Sequence, residues 1–126
     1  MKLILVADDD KLVRITLRKI LESAGYAFLE AKDGGEAIEL FRKRKPDLVI
    51  VDIVMPIKDG VRTFLELRGF DTKAKVIAIS AGARSGKIDY LDLTKRIGAN
   101  GILAKPFTRA SVLAMVERVL ADEKGA

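Results

Sequence analysis

The chain has 126 residues, 49% apolar and 33% charged, a formal net charge of +5, and neither cysteine nor histidine. One domain with its own core fits that length. The missing residue types exclude disulfides, thiolate or imidazole metal sites, histidine-based triads and any phosphohistidine on this chain. No apolar run approaches a bilayer span. Lys and Arg are interspersed with Glu and Asp, and their densest cluster, Arg42-Lys43-Arg44-Lys45, falls where a helix should end and cations favour the macrodipole. We therefore expect neither nucleic acid nor membrane as a direct partner.

In chain order, residues 3–7 are an apolar run and read as the first strand. It meets Asp8-Asp9-Asp10 too early for a signal peptide, so a cytoplasmic protein is expected. Asp10 is placed to cap a helix whose apolar face carries Val13, Leu17, Ile20, Leu21 and Ala24, with Arg14, Arg18, Lys19 and Glu22 largely elsewhere, and Gly25 is placed to end it. Residues 26–31 read as a second, edge-like strand, followed by a turn over Lys32-Asp33-Gly34-Gly35 and a helix over 36–45 that Pro46 stops. The third strand, Leu48-Val49-Ile50-Val51, runs into Asp52 and is apolar throughout, as a strand buried on both faces must be.

After Asp59-Gly60 the spacing predicts a helix over 61–68, broken at Gly69. A fourth strand over 75–79 ends at Ser80. The small-residue loop 81–86 leads to a helix over 87–97. A short fifth strand over 101–104 leads to Lys105-Pro106-Phe107, and Thr108 caps a last helix with Val112, Leu113, Val116, Val119 and Leu120 at helical spacing. Five strand-then-helix units imply a parallel sheet covered by helices on both faces, with right-handed crossovers. We expect one domain over residues 1–122 and a frayed tail over 123–126.

Open α/β sheets bind ligands beyond the carboxyl ends of their strands. Reading only strand ends gives Asp8 and Asp9, Asp52, Ser80 and Lys105. Each has a plain structural explanation alone, but all of them fall at the same end of different strands. Two carboxylates ~5 Å apart repel by about 3 kcal/mol at an effective dielectric near 20. Lys105 supplies one offsetting charge. An all-oxygen site of this kind suits Mg2+ or Mn2+, which cancels charge on phosphate oxygens, and an Asp can then serve as nucleophile to give an aspartyl phosphate.

Leu5-Val6-Ala7-Asp8-Asp9-Asp10, Asp52-Ile53-Val54-Met55-Pro56 with Asp59-Gly60, Ile79-Ser80-Ala81 and Lys105-Pro106-Phe107 occur in that order across nearly the whole chain. In these stretches the sequence resembles the receiver domain of two-component response regulators. The resemblance implies a flavodoxin-like (βα)5 doubly wound sandwich of strand order 2-1-3-4-5. It implies Asp52 as phosphoacceptor, Asp9 as a direct Mg2+ ligand, Asp8 as its water-bridging neighbour, and a metal-binding backbone carbonyl at Val54. Ser80 and Lys105 would meet the phosphoryl group, and the peptide before Pro106 would be cis. The donor would be a phosphohistidine on a histidine kinase or phosphotransfer protein. A downstream protein target would dock on the fourth helix, fifth strand and fifth helix.

Three positions depart from the pattern: Ile102 stands where many receivers carry Tyr or Phe, and Val54 and Gly82 where the residue is often polar. Other readings are weaker. Gly82-Ala83-Arg84-Ser85-Gly86-Lys87-Ile88 has three residues between its glycines where a phosphate-binding loop needs four, and Ile88 where Ser or Thr should bind metal. A phosphatase with an Asp nucleophile wants a second acid where Val54 stands. A receiver-like interaction module that takes no phosphate is the remaining alternative.

Overall fold

In the computed structural model, residues 1–53, 60–80 and 98–122 are described, Val61 and Ser80 by their backbone alone; the expected loop 81–86, the helix over 87–97 and the tail 123–126 lie outside the described residues. The elements are β1 (Leu3–Ala7), α1 (Lys11–Ser23), β2 (Ala27–Ala31), α2 (Gly34–Arg44), β3 (Leu48–Asp52), α3 (Gly60–Phe70), β4 (Val76–Ser80), β5 (Gly101–Ala104) and α4 (Arg109–Ala121). All strand pairs are parallel and the order is β2-β1-β3-β4-β5, as the resemblance implies.

Alternation along the inner strands divides the core in two. Ile4 and Val6 of β1, Ile50 of β3 and Ile77 and Ile79 of β4 point to one face, where Leu17 and Leu21 of α1 and Val112, Val116 and Val119 of α4 cover them. Leu5, Val49, Val51 and Val76 point to the other, under Ala37 and Phe41 of α2 and Phe64 and Leu67 of α3. Every residue of β3 is buried, which explains its unbroken apolar run.

Two helices differ from the reading of the sequence. The two glycines expected in a turn open α2 instead, because the Asp33 side chain caps that helix by accepting from Glu36 N at 2.8 Å. The helix still stops before Pro46, with Lys45 in the left-handed region at φ 47°. Likewise, α3 runs through Gly69 to Phe70. Leu67 is fully buried, and Arg68 donates to Ala74 O (2.9 Å) and Asn100 Oδ1 (2.7 Å). These tertiary contacts outweigh the ~1 kcal/mol cost of one helical glycine.

The amino ends of the strands are laced together. Leu3 N donates to Asp47 Oδ2 (2.8 Å), Val76 N to Asn100 Oδ1 (2.8 Å) and Lys75 Nζ to Leu120 O (2.9 Å). Arg118 reaches Asn100 O at 3.3 Å. At the other end of the sheet, Gly60 N donates to Ile53 O at 3.2 Å, and a Cβ on Gly60 would collide with the backbone of Asp52 and Ile53. Only glycine lets α3 start this close to the end of β3.

Gly60→Ala should therefore cost about 1–3 kcal/mol or more through overpacking. Gly69→Ala, with nothing within 4 Å of its would-be Cβ, should be neutral or stabilise by up to about 1 kcal/mol. Urea denaturation of the two variants beside the parent chain checks both; equal effects would contradict the close packing assigned to Gly60.

Candidate functional site

The chain winds from β1 outward to β2, then returns past β1 to build β3, β4 and β5 on its other side. β1 and β3 thus flank the point where the winding reverses, which opens a crevice at their carboxyl ends. Ala7 of β1 pairs with Val51 of β3, so Asp8 and Asp52 emerge side by side. Asp8 is fully buried and Asp52 nearly so, while Asp9 is exposed at the rim. One carboxylate oxygen from each of the three lies within 4.8 Å of the others.

Lys105 follows β5, two strands away from β3, and its long side chain crosses the end of β4 to the cluster. Its Nζ is 3.3 Å from Asp52 Oδ2 and 3.5 Å from Asp8 Oδ2. The peptide between Lys105 and Pro106 is cis. Ser80 ends β4 level with Ala104, the residue before Lys105, so its backbone stands on the same rim. Val54 and Gly82 lie outside the described residues. The structure thus brings together Asp8, Asp9, Asp52 and Lys105 and places the Ser80 backbone beside them.

The turn that carries the acids is tightly held. Asp8 N donates to Ala31 O (3.1 Å), and Asp8 Oδ1 accepts from Asp10 N (2.8 Å). Asp10 caps α1 as expected, accepting from Leu12 N at 2.9 Å. Helix capping thus belongs to Asp10, and does not account for Asp8 or Asp9. Asp8 Oδ2 is buried with no hydrogen-bond partner among the described residues. Its 3.5 Å approach to Lys105 is an ion pair and not a hydrogen bond.

Burial pushes the Asp8 carboxyl from 3.8 up to about 6; the Asp10 N–H pulls it back, Asp52 raises it further, Lys105 lowers it and Asp9 raises it. For Lys105, burial works against the ammonium, but the Asp52 and Asp8 carboxylates outweigh it and the pKa is raised. An orphaned buried carboxylate oxygen beside two further carboxylates is a donor set that a hard divalent cation satisfies. Asp8, Asp9 and Asp52 fit such an ion.

Two neighbours of the site were not legible as such. Arg14, expected on the solvent face of α1, has a side chain only 13% exposed and reaches both Glu30 and the Asp8 carbonyl. A cation in the first turns of a helix is out of place electrostatically, and that is the signal the sequence held. Gly60 was read as part of a turn, and its close approach to Asp52 shows only in three dimensions.

A doubly wound parallel sheet with an acidic pocket and one lysine at its winding reversal defines a class of metal-assisted phosphate-handling domains. The chain belongs to the response regulator receiver domain family, whose model matches residues 4–117. It is a receiver of phosphorylation-based two-component signalling, a family that binds Mg2+ at such an aspartate cluster. It is 42% identical over 118 residues to Protein CcdB of Bacillus subtilis, covering 93% of this chain and 96% of that one. To the chemotaxis protein CheY of Halobacterium salinarum it is 37% identical over 119 residues, covering 94% and 97%. The solved structure of Vibrio cholerae CheY4 superposes with a TM-score of 0.85 at 28% identity, covering 94% of this chain and 98% of that one. Among the described residues, no helix is long and apolar enough to cross a membrane.

The raised Asp8 pKa sets a pH dependence. The folded state holds this proton more tightly than the unfolded chain does. Its stabilising effect is therefore complete below pH 3.8 and lost as pH rises through about 6. Above that, ionised Asp8 costs the metal-free protein roughly 1–3 kcal/mol. Asp8→Asn should therefore be more stable than the parent in chelator at pH 7.5, with the gap closing by pH 4. Thermal or urea melts across that range check it, and a gap independent of pH would contradict the assignment.

Proposed function

We propose that Asp52 accepts a phosphoryl group from a phosphohistidine of a histidine kinase or phosphotransfer protein, and that the aspartyl phosphate switches binding of a downstream protein. One observation carries the reading: Asp52 stands at the winding reversal of the sheet, nearly buried beside Asp8, with the Lys105 ammonium 3.3 Å away. A carboxylate oxygen of Asp52 attacks phosphorus as the P–N bond to the donor imidazole breaks, and the leaving nitrogen keeps the bonding pair and is protonated. Lys105, held protonated by its two carboxylates, faces the negative oxygens of the incoming group. By the family pattern the Ser80 hydroxyl would meet the same oxygens, and the Val54 backbone carbonyl would be a ligand of the metal. Asp8, Asp9 and Asp52 would hold Mg2+ (Mn2+ serving in its place), which when bound neutralises charge on the phosphoryl oxygens.

Phosphorylation adds roughly −1.5 to −2 charges at Asp52. Lys105 then has a new partner, and it stands directly after β5 and before α4. The downstream target docks, in this reading, on β5, α4 and the helix over 87–97, which lies outside the described residues. The receiver occupies residues 1–122, in the cytoplasm, with residues 123–126 as a tail.

Incubation with acetyl phosphate and Mg2+ should add one phosphoryl mass to the intact chain, and Asp52→Asn or a chelator should abolish the gain. The same treatment should move amide resonances of Lys105 and of β5 and α4. No mass gain by a folded chain that binds Mg2+ would instead favour a receiver-like interaction module. A mass gain with those resonances unmoved would overturn the docking face alone.

A further inference from the structure

Arg14 lies on the fourth residue of α1, where the positive end of the helix dipole disfavours a cation, and the first turn holds no acidic residue to compensate. Its placement answers to something outside the helix. Arg14 Nε donates to Glu30 Oε1 on β2 at 2.7 Å, and Nη1 donates to the backbone carbonyl of Asp8 at 2.8 Å. That carbonyl has a particular need. Along a strand the N–H and C=O of one residue point to the same side. Asp8 N–H still reaches Ala31 O, but β2 ends at Ala31, so the Asp8 carbonyl has passed the last residue of β2 that could serve it. A buried carbonyl left unmet is costly, and Arg14 supplies the donor.

We propose that Arg14 is a positioning residue for the acidic site: with Glu30 as its anchor, it fixes the peptide plane that joins Asp8 to Asp9. That plane sets the direction in which Asp9 leaves the turn, while Asp8 itself is held by Asp10 N. The two carboxylates are thereby presented together before any ion arrives. The inference rests on the proposed divalent-cation site at Asp8, Asp9 and Asp52. Groups that orient metal ligands from behind typically set metal affinity by 10- to 100-fold.

The test uses the full chain and Mn2+, with free ion followed by electron paramagnetic resonance, and a metal-free readout beside it. Arg14→Ala should weaken Mn2+ binding about tenfold or more. Arg14→Lys, whose ammonium reaches one acceptor and not two, should recover affinity to within about threefold of the parent. In the metal-free protein the Asp10 amide should exchange about tenfold faster in Arg14→Ala, as an opened local hydrogen bond does, while amides of β3 keep their rates. Unchanged Mn2+ affinity in a folded Arg14→Ala overturns the proposal, including the case where only the melting midpoint drops and Arg14→Lys restores it. Should Arg14→Ala not fold, Glu30→Gln decides: it keeps the guanidinium but removes its anchor's charge, and should weaken Mn2+ about threefold, with parent affinity again overturning the proposal. If the parent chain itself takes no Mn2+, the cation reading fails, and Asp10 exchange alone then decides the role of Arg14.

Discussion

Two carboxylates, Asp8 and Asp52, are buried side by side at the end of a parallel sheet, and much of the surrounding structure answers to that constraint. Their mutual repulsion and loss of water call for a counter-charge. Among the described residues one ammonium meets them, Lys105, brought from two strands away. Asp8 Oδ2 has no hydrogen bond among the described residues, and burial makes its carboxyl hard to ionise. A divalent ion is the counter-charge that such a group of carboxylates would accept.

Holding such a site together falls to apolar packing. The inner strands β1, β3 and β4 are sealed on both faces, with α1 and α4 on one side and α2 and α3 on the other. Register does the rest. Because Ala7 lies opposite Val51, the acids at the ends of β1 and β3 meet without help from loops. A slip of one residue in that pairing would turn every strand side chain to the opposite face, exchange the residues each pair of helices covers, and part Asp8 from Asp52. Core and site are therefore specified by the same pattern.

Most of this was legible in the sequence, because it rests on local signals. Buried strands show as short apolar runs, caps as Asp10 and Thr108, and the rim as the polar residue that ends each run. The sequence order of the acidic triplet, Asp52, Ser80 and Lys105 carried the family. Most of what was not legible depends on contacts between distant segments. Arg68 with Asn100, on a distant segment, carried α3 past Gly69, whereas the Asp33 cap that drew Gly34 and Gly35 into α2 is a local signal masked by their turn-like spacing. Arg14 looked like one more exposed cation because helical periodicity says which face a residue occupies, and not what carbonyl waits beyond it.

The two ends of the sheet are built differently. At the amino end, Leu3 with Asp47, Asn100 with Val76 and Arg68, and Lys75 with Leu120 join segments 24 to 45 residues apart by hydrogen bonds that need no ligand. At the carboxyl end stand the crowded charges. The carboxyl rim carries its own ties as well, from Arg14 to the Asp8 carbonyl and from Lys105 to Asp52, but there the ties hold charge together. A lineage can then alter the loops at the carboxyl rim, retuning the lifetime of a chemical mark or the choice of partner, while the laced rim keeps the chain folded. Such a division makes one scaffold reusable: a new specificity can be explored at the carboxyl rim while the ties at the amino rim stay as they are.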